Sequence, residues 1–374
     1  MRYISVNSLK ENMKIAKTIY TSTGKIVLPA GTKLTNEIID KIKRAGISYL
    51  WIEDSRVSDV KIQEIITYGT RFGILYLLRT MYKNLEEVKN ISSRLPILEE
   101  VIEIKKLIEY AEDILEEVDR IEDLKDFSHD KEITLSQVDN LDDYFPVHSL
   151  NTALLSFVIG KFLKFDRRTL IDLLISGFLH DIGIIWIPEN ILKKRGKLTD
   201  SEYQLVKEHP EYSYKIIQKN VNINRRIINA VYQHHELLNG SGYPKHLKKE
   251  EISQLAKIIT ICDVYSSLIS KRPWREAFLP HQAIEYILGN GGEMFDYELV
   301  EIFARLIPSY PKGIMVRLNT GEIGCVVNPN KGIVARPVVR IFYDKDGKEV
   351  KNLYEYDLAE KEHQTKIITD IVDM

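Results

Sequence analysis

The chain has 374 residues, enough for two or three domains, and its content of 44% apolar and 28% charged residues is that of an ordinary globular protein. A net charge of −2 gives no electrostatic case for binding a nucleic-acid polymer, and two cysteines are too few for a disulfide framework, which favours a reducing, cytoplasmic setting. No apolar run reaches the roughly 18 residues of a membrane helix, and the N-terminus lacks a signal-peptide core, so we expect no membrane association.

Residues 1–58 are predicted to form a small α/β domain. The segments KTIYTS and KIVLP flank Thr23-Gly24, a hairpin signal. Thr35 can cap a helix that Gly46 ends, and SYLWIE has the composition of a strand. We expect a regulatory domain, although no sequence feature identifies what it senses.

Residues 59–126 are predicted to form a helical connector. Apolar residues recur at helical spacing through IITYGTRFGILYLL and LEEVIEIKKLIEYAEDILEEV, with a break at Ser92, Ser93 and Pro96. The acidic second stretch is either a partner-binding helix or, more simply, the solvated face of a connecting helix. The apolar stripes motivate the hypothesis of a homodimer through residues 59–126.

Residues 127–310 form the main predicted helical body, and residues 311–374 a β-rich extension of it. Thr199-Asp200-Ser201-Glu202 fits a capping box, and Pro210 indicates a bend at His209. After residue 311 the pattern changes to period two, through IMVRLN, EIGCVVN and PVVRIFYD. The predicted fold class is therefore mainly α, with a small α/β domain at one end and a small β unit at the other.

Five of the nine histidines lie between positions 148 and 235, and two aspartates accompany them. Each position has an ordinary structural explanation when taken alone. Asp263 could face solvent on an amphipathic helix, His180 could be a core histidine bonded to a carbonyl, and His234 and His235 could be adjacent by chance. Their joint occurrence favours a metal centre with more ligands than one ion uses. Histidine and carboxylate ligands suit iron, manganese or zinc, and a shared carboxylate is typical of two-metal hydrolytic sites.

Four ordered motifs resemble those of the HD-GYP family, bacterial phosphodiesterases of cyclic di-GMP within the HD superfamily of metal-dependent phosphohydrolases. They are HDIG at 180–183, GKLTDSEYQLVKEHP at 196–210, HHELLNGSGYP at 234–244 and CDVYSSLISKRPWR at 262–275. The resemblance covers about residues 145 to 345 and implies an all-helical HD-type bundle.

The resemblance also implies roles for individual residues. His180 and Asp181 are the implied catalytic residues, and Asp181 the bridging carboxylate. The loop NGSGYP would turn beside the metals and set Tyr243 and Pro244 against the substrate. The implied metal ligands are His148, His180, Asp181, His209, His234, His235 and Asp263, and the implied substrate-binding residues are Gly242, Tyr243, Pro244, Arg272 and Arg275.

Two positions depart from the family pattern. Many members carry a lysine after HD-x-G that reaches a substrate phosphate, and here the residue is Ile184. Members with three metals carry a glutamate four residues before the first histidine, and here that residue is Tyr144. We therefore expect two divalent transition-metal ions, iron or manganese, and no organic cofactor.

The expected activity is hydrolysis of cyclic di-GMP to linear pGpG by a metal-bridged hydroxide, with a second cut to GMP left open. The alternative is a catalytically weak, metal-containing regulatory module that binds the cyclic dinucleotide, an interpretation that Ile184 favours. A phosphohydrolase of another nucleotide is a third reading. The general acid is not identified, because Glu236 could equally stabilise its helix.

Overall fold

A computed structural model describes residues 1–20, 26–45, 47, 49–60, 64–92, 94–120, 144–220, 222–270, 275, 277–330, 333 and 335–373. The described chain divides into two compact units. The first unit contains Met1–Glu64 and Ala304–Met374, and the second contains the helices between them. The mainly α fold class is confirmed.

Within the residues that the structure describes, the first unit contains the α-helix Asn36–Arg44 and three antiparallel sheets. Its elements are β1 (Arg2–Ser5), β2 (Ile19–Tyr20), β3 (Ile26–Leu28), α1 (Asn36–Arg44), β4 (Tyr49–Ile52), β5 (Met315–Leu318), β6 (Ile323–Asn328), β7 (Val338–Tyr343), β8 (Glu349–Asp357) and β9 (Ile368–Ile371). The hydroxyl of Thr35 caps α1 as predicted, and β1 pairs antiparallel with β4. The C-terminal strands form an antiparallel sheet in the order β8-β7-β6-β5-β9. Strand β9 lies beyond the period-two pattern recognised in the sequence, which ends near residue 360.

The N-terminal segment and the C-terminal sheet share one unit. The amino group of Met1 donates to the carbonyl of Val57 at 3.0 Å, and both oxygens of Asp59 accept from the guanidinium of Arg340 at 2.6 and 2.7 Å. Val57 also packs in one apolar cluster with Phe342. This grouping differs from the predicted division into 1–58, 59–126, 127–310 and 311–374, because a period-two pattern shows that a sheet face is covered but not which segment covers it.

The second unit is built from helices. They are α2 (Tyr68–Ile91), α3 (Ile104–Asp119), α4 (Tyr144–Phe162), α5 (Arg167–Leu179), α6 (Glu189–Leu192), α7 (Asp200–Val206), α8 (His209–Ile217), α9 (Arg225–Gln233), α10 (Gln254–Leu268), α11 (Pro280–Gly289) and α12 (Tyr297–Leu306), whose last turn lies beyond Phe303. The capping box at Thr199 and Glu202 opens α7 as predicted. Pro210, which was predicted to mark a bend at His209, lies instead in the first turn of α8, where a proline needs no amide donor.

Helices α2 and α3, predicted as a connector, pack within the helical unit. Helix α2 contacts α3 and α4, and α3 contacts α5. The apolar faces that motivated the homodimer hypothesis are buried in the same chain, including Leu78 and Leu85 on α2 and Leu107 and Ile114 on α3. Amphipathic spacing indicates that a face is buried without showing whether the partner is the same chain or another.

Among the described residues, one stretch is apolar and long enough to cross a membrane, contrary to the expectation from the sequence. Arg167–Trp186 has a mean hydropathy of 1.5, and 83% of its window is buried in the structure. The stretch combines α5 with the 3₁₀ helix Ile182–Trp186, and its apolar residues face other helices. Its composition is therefore accounted for by its place in the helical core.

The side chain of Lys89 forms hydrogen bonds with the C-terminal end of this 3₁₀ helix. Its ammonium group, on the last turn of α2, donates to the carbonyls of Ile185 and Ile187. Burial lowers the pKa of Lys89, which shows that the charge is partly removed from water. The two carbonyls belong to the segment that directly follows His180 and Asp181.

We expect Lys89→Met to lower the free energy of unfolding by about 1–3 kcal/mol, because it leaves two carbonyls without a charged donor. Lys83→Met is the matched control, since the Lys83 side chain on the same helix is 75% exposed. Denaturant unfolding of both variants measures the difference. Equal stability of the two variants would contradict a structural role for Lys89.

Candidate metal centre

Five of the seven predicted ligands lie at helix ends, and the other two lie within helices. His148 lies on α4, His180 and Asp181 directly follow α5, and His209 opens α8. His234 and His235 directly follow α9, and Asp263 lies on α10. All of these residues are at most 7% exposed except His235, whose side chain is 23% exposed.

The seven side chains form two groups in which the possible ligand atoms lie within 4.8 Å of one another. The first group is Asp181, His209, His234 and His235, and the second is His148, His180 and Asp263. The aspartate and histidine side chains that were expected to converge therefore do so, as two adjacent sets. Each set has three or four nitrogen and oxygen donors, a number and chemistry suited to a divalent transition-metal ion.

Asp181 spans the two groups with its two carboxylate oxygens. Oδ1 lies 3.1 Å from Nε2 of His209 and 3.6 Å from Nε2 of His234. Oδ2 lies 3.5 Å from Nε2 of His180 and 3.7 Å from Nε2 of His148. This is the arrangement expected of a carboxylate that bridges two ions.

Asp263 also reaches into both groups. Its Oδ1 lies 2.8 Å from Nε2 of His148, and its Oδ2 lies 3.6 Å from Nδ1 of His235. The sequence interpretation that Asp263 faces solvent is wrong, because the residue is only 5% exposed. The carboxylate is costly to bury on an apolar helix unless a cation or hydrogen bonds compensate it.

Backbone carbonyls fix the tautomer of three histidines. In each of them Nδ1 lies within hydrogen-bond distance of a carbonyl oxygen, which can only accept, so Nδ1 carries the proton and Nε2 is left to bind an ion. The pairs are His180 with Gly177 (2.8 Å), His209 with Val206 (2.7 Å) and His234 with Val231 (2.6 Å).

The Nε2 atoms then face one another at short range. His148 and His180 approach to 3.4 Å, and His209 and His234 approach to 3.2 Å, in each case between Nε2 atoms. Two neutral imidazoles with their lone pairs opposed repel each other, so each pair requires a proton or a cation at its centre. The donor set therefore fits divalent metal ions.

The electrostatics of the cluster favour added positive charge. Burial raises the pKa of Asp181 but the adjacent His180 and the other histidines hold that pKa well below its usual value, so the carboxylate is ionised. Burial lowers the pKa of His180, yet Asp181 brings it to about 9. Burial and the neighbouring His234 hold the pKa of His235 well below its usual value.

Gly183 of the HDIG motif allows the close packing that positions His209. A Cβ at this position would lie 2.3 Å from the carbonyl oxygen of His209 and 2.3 Å from the amide nitrogen of Ser213. The Ser213 hydroxyl accepts from the amide of Gly183 at 2.9 Å and donates to the carbonyl of His180 at 2.8 Å. Ser213 thus joins α8 to the segment that carries His180, a role that its sequence context did not indicate.

The loop after the paired histidines folds back onto them. Glu236 is 2% exposed and accepts from the amides of Lys245 at 2.6 Å and Leu247 at 2.9 Å, so its carboxylate holds the loop. A Cβ on Gly242 would lie 2.3 Å from the amide nitrogen of Leu237 and 2.5 Å from the carbonyl oxygen of His235. Glycine is therefore required where the loop crosses this turn.

Tyr243 lies against the metal centre. Its ring stacks on the imidazole of His235 with centroids 4.7 Å apart, and its amide donates to the carbonyl of His235 at 3.0 Å. Pro244 follows through a cis peptide bond. The side chains of Tyr243 and Pro244 are half-buried, and their contact with a substrate stays a prediction.

Of the two arginines predicted to bind substrate, the structure describes Arg275 only. Arg272 lies outside the described residues. Arg275 donates to the carbonyls of Ser267 at 2.7 Å and Leu268 at 3.3 Å, and its guanidinium lies 4.9 Å from the ring centroid of Phe278. Arg275 thus covers the C-terminal carbonyls of α10, and its contact with a substrate phosphate stays a prediction.

The two departures from the family pattern are both buried. Tyr144 is fully buried and stacks on the imidazole of His148 with centroids 5.2 Å apart, in the place of the expected glutamate. Ile184 is 5% exposed within the 3₁₀ helix after Asp181. The hydroxyl of Ser266 on α10 lies 2.9 Å from Nδ1 of His148, a contact that residue identity alone did not reveal.

Two protein-family models match segments of this chain. Residues 139–299 match the HD domain family, and residues 315–373 match a KOW domain associated with HD domains. A cyclic di-GMP phosphodiesterase of Pseudomonas aeruginosa, PA4108, is 31% identical over 216 residues, 58% of this chain and 52% of that protein. A 3′3′-cGAMP-specific phosphodiesterase of Vibrio cholerae is 34% identical over 140 residues, 37% of this chain and 30% of that protein.

Among solved structures, the HDG"Y"P protein Bd1817 of Bdellovibrio bacteriovorus aligns with a TM-score of 0.44 and 16% identity, over 80% of this chain and 97% of that one. Residues 139–299 therefore contain an HD domain, and the relatives named as cyclic di-GMP phosphodiesterases bear out the resemblance to the HD-GYP family that the four motifs indicated. The chain spans about half the length of the first curated relatives that it matches.

We expect Gly242→Ala to lower the free energy of unfolding by about 1–3 kcal/mol, because the added methyl group forces the loop away from the turn at residues 235–237. Gly289→Ala is the control, since a Cβ there meets nothing within 4 Å. Denaturant unfolding measures the loss of stability. Amide exchange at Tyr243, whose amide donates to the carbonyl of His235, measures the displacement of the loop. An unchanged amide exchange rate in Gly242→Ala would contradict the packing described here.

Proposed function

We propose that the chain is a metal-dependent phosphodiesterase that hydrolyses cyclic di-GMP to linear pGpG in the cytoplasm. The observation that carries the proposal is the geometry of Asp181, whose two oxygens face two separate groups of histidines. Burying such a carboxylate in a purely structural cluster would be costly, because no cation would compensate its charge. A shared carboxylate is the expected centre of a two-metal hydrolytic site.

Two divalent ions would be held by the two groups already described, with Asp181 shared between them. Iron and manganese are the proposed ions, since imidazole and carboxylate ligands suit both. When bound, such ions supply an activated water at neutral pH and offset charge on phosphoryl oxygens.

The remaining side chains are proposed to orient the substrate. The ring of Tyr243, held by its stacking on His235, offers a flat edge to the nucleotide beside the ligand group. Arg275 and Arg272 are proposed to contact the phosphates. A guanidinium has five N–H donors, so Arg275 can hold the last carbonyls of α10 and contact a phosphate at the same time.

The choice of cyclic di-GMP over another cyclic dinucleotide rests on the names of relatives and on the four motifs. The Pseudomonas aeruginosa relative is named for cyclic di-GMP and the Vibrio cholerae relative for 3′3′-cGAMP. Both names describe cleavage of a cyclic dinucleotide, which is the substrate class we propose with cyclic di-GMP as the member. The alternative, a binding module with little turnover, is motivated by Ile184, which places no cation after the HDIG motif.

The metal proposal is tested by elemental analysis of protein loaded with iron or manganese under reducing conditions. We expect two ions per chain in the wild type, at most one in Asp181→Asn, and a fall in kcat on the order of 10³-fold, because several kcal/mol of transition-state stabilisation depend on both ions. Asp200→Asn is the control, since Asp200 is an exposed residue of the first turn of α7.

Two outcomes would count against these assignments. Wild-type content below one ion per chain under every loading condition would refute the metal centre. Two bound ions and tight binding of cyclic di-GMP without release of linear dinucleotide would refute the enzyme and favour the regulatory module.

The substrate is tested by comparing kcat/KM for cyclic di-GMP and 3′3′-cGAMP with the same metal-loaded protein. We expect cyclic di-GMP to be preferred by roughly 10-fold or more, the discrimination of a single lost or mispaired hydrogen bond. Chromatography of the products distinguishes pGpG from GMP. A preference for 3′3′-cGAMP would keep the phosphodiesterase but reject the proposed substrate.

A further inference from the structure

The ammonium group of Lys207 lies over two tyrosine rings beside the metal centre. Its Nζ is 4.7 Å from the ring centroid of Tyr203 and 5.6 Å from that of Tyr243. Both distances lie within the range of cation–π attraction. Lys207 directly follows α7, two residues before His209, and its side chain is half-buried.

The carboxylates on neighbouring turns are engaged elsewhere. Glu202 pairs with Lys194 at 2.6 Å, Glu208 accepts from the hydroxyl of Tyr212 at 2.6 Å, and Glu211 accepts from the hydroxyl of Tyr232 at 2.8 Å. Within the part of the chain that the structure describes, no carboxylate lies within 4 Å of the Lys207 ammonium. Among these described residues, the Lys207 ammonium is therefore contacted by two aromatic rings and by no carboxylate.

This arrangement suits an anion-binding group. Cation–π contacts restrain the ammonium without using an acceptor atom, so its three N–H donors stay directed to whatever oxygen atoms approach. The ring of Tyr243 connects Lys207 to the centre, because it stacks on His235 with centroids 4.7 Å apart and lies 6.3 Å from the centroid of His209. An anion that contacts Tyr243 from the solvent side would meet this ammonium.

We propose that Lys207 is a substrate-positioning residue that binds a phosphate of the cyclic dinucleotide, and that it supplies the positive charge missing at Ile184. The proposal rests on the proposed function, because it assumes a phosphodiester at the metal centre. It assigns the role to a residue on a different element, since Ile184 is buried in the 3₁₀ helix after Asp181 whereas Lys207 lies at the end of α7.

The test is steady-state hydrolysis of cyclic di-GMP by the full chain, loaded with the metal that supports turnover. We expect Lys207→Gln to raise KM about 10-fold with unchanged metal content, because it removes a charge-assisted hydrogen bond to substrate. Lys207→Glu should raise KM further, and Lys207→Arg should restore it to within about 3-fold of the wild type, since the charge is retained.

Lys219→Gln is the matched control, because it removes one positive charge from an exposed position just after α8 in the same domain. We expect its KM to equal that of the wild type. Metal content and unfolding midpoint, measured on every variant, separate loss of binding from loss of fold. If Lys207→Gln proves unstable, the comparison of Lys207→Arg with Lys207→Glu decides the same question.

A KM for Lys207→Gln equal to that of Lys219→Gln, or a Lys207→Arg variant as impaired as Lys207→Gln, would overturn the role of Lys207 while leaving the proposed function intact. A wild type that neither binds nor cleaves a cyclic dinucleotide would overturn the proposed function and this inference together. A KM difference between the wild type and Lys207→Gln that narrows at high ionic strength, because the wild-type KM rises, would support the role of Lys207, since the contact is ionic.

Discussion

Two carboxylates buried among imidazoles form the constraint on which the helical unit depends. Asp181 and Asp263 are 7% and 5% exposed, and an ionised carboxylate in such surroundings is strongly destabilising unless positive charge lies beside it. Burial lowers the pKa of His180, but the adjacent Asp181 raises it to about 9, so the carboxylate favours positive charge on this imidazole. A divalent cation supplies positive charge and also relieves the opposed nitrogens of the paired rings.

Carbonyl groups at helix ends orient three of the histidines around these carboxylates. The last turn of a helix has carbonyls without intrahelical partners, and they are a ready set of acceptors for nearby side chains. His180 directly follows α5, His234 directly follows α9, and His209 lies three residues after the end of α7. Each donates its Nδ1 proton to such a carbonyl, so the same geometry that ends a helix also sets the tautomer that a metal ligand needs. This explains why the motif histidines cluster where helices stop.

The sequence predicted which side chains converge better than it predicted the residues that hold them in place. A histidine followed by aspartate at the end of an apolar helix, or two adjacent histidines before a glycine loop, can be recognised from the sequence because these residue types are themselves potential metal ligands. The residues that support the site through hydrogen bonds cannot be recognised in this way. Ser213 and Ser266 have no distinctive neighbours in the sequence, and Glu236 left two roles open until its contacts with the loop amides were seen. Likewise the amphipathic spacing in α2 indicated burial correctly but could not reveal that α4 is the partner.

The charge balance of the centre accounts for the loss of the usual lysine. Two ionised aspartates contribute two negative charges, and five imidazoles that bind through neutral nitrogens contribute none. Two divalent ions would reverse the sign of the net charge, and a positive centre attracts the anionic phosphodiester that we propose as substrate. A cation at position 184 would have to lie in an apolar segment where the residue is only 5% exposed, so isoleucine there lowers the cost of burial. A cation at the solvent-facing side, held over Tyr203 and Tyr243, adds attraction for the substrate without that cost.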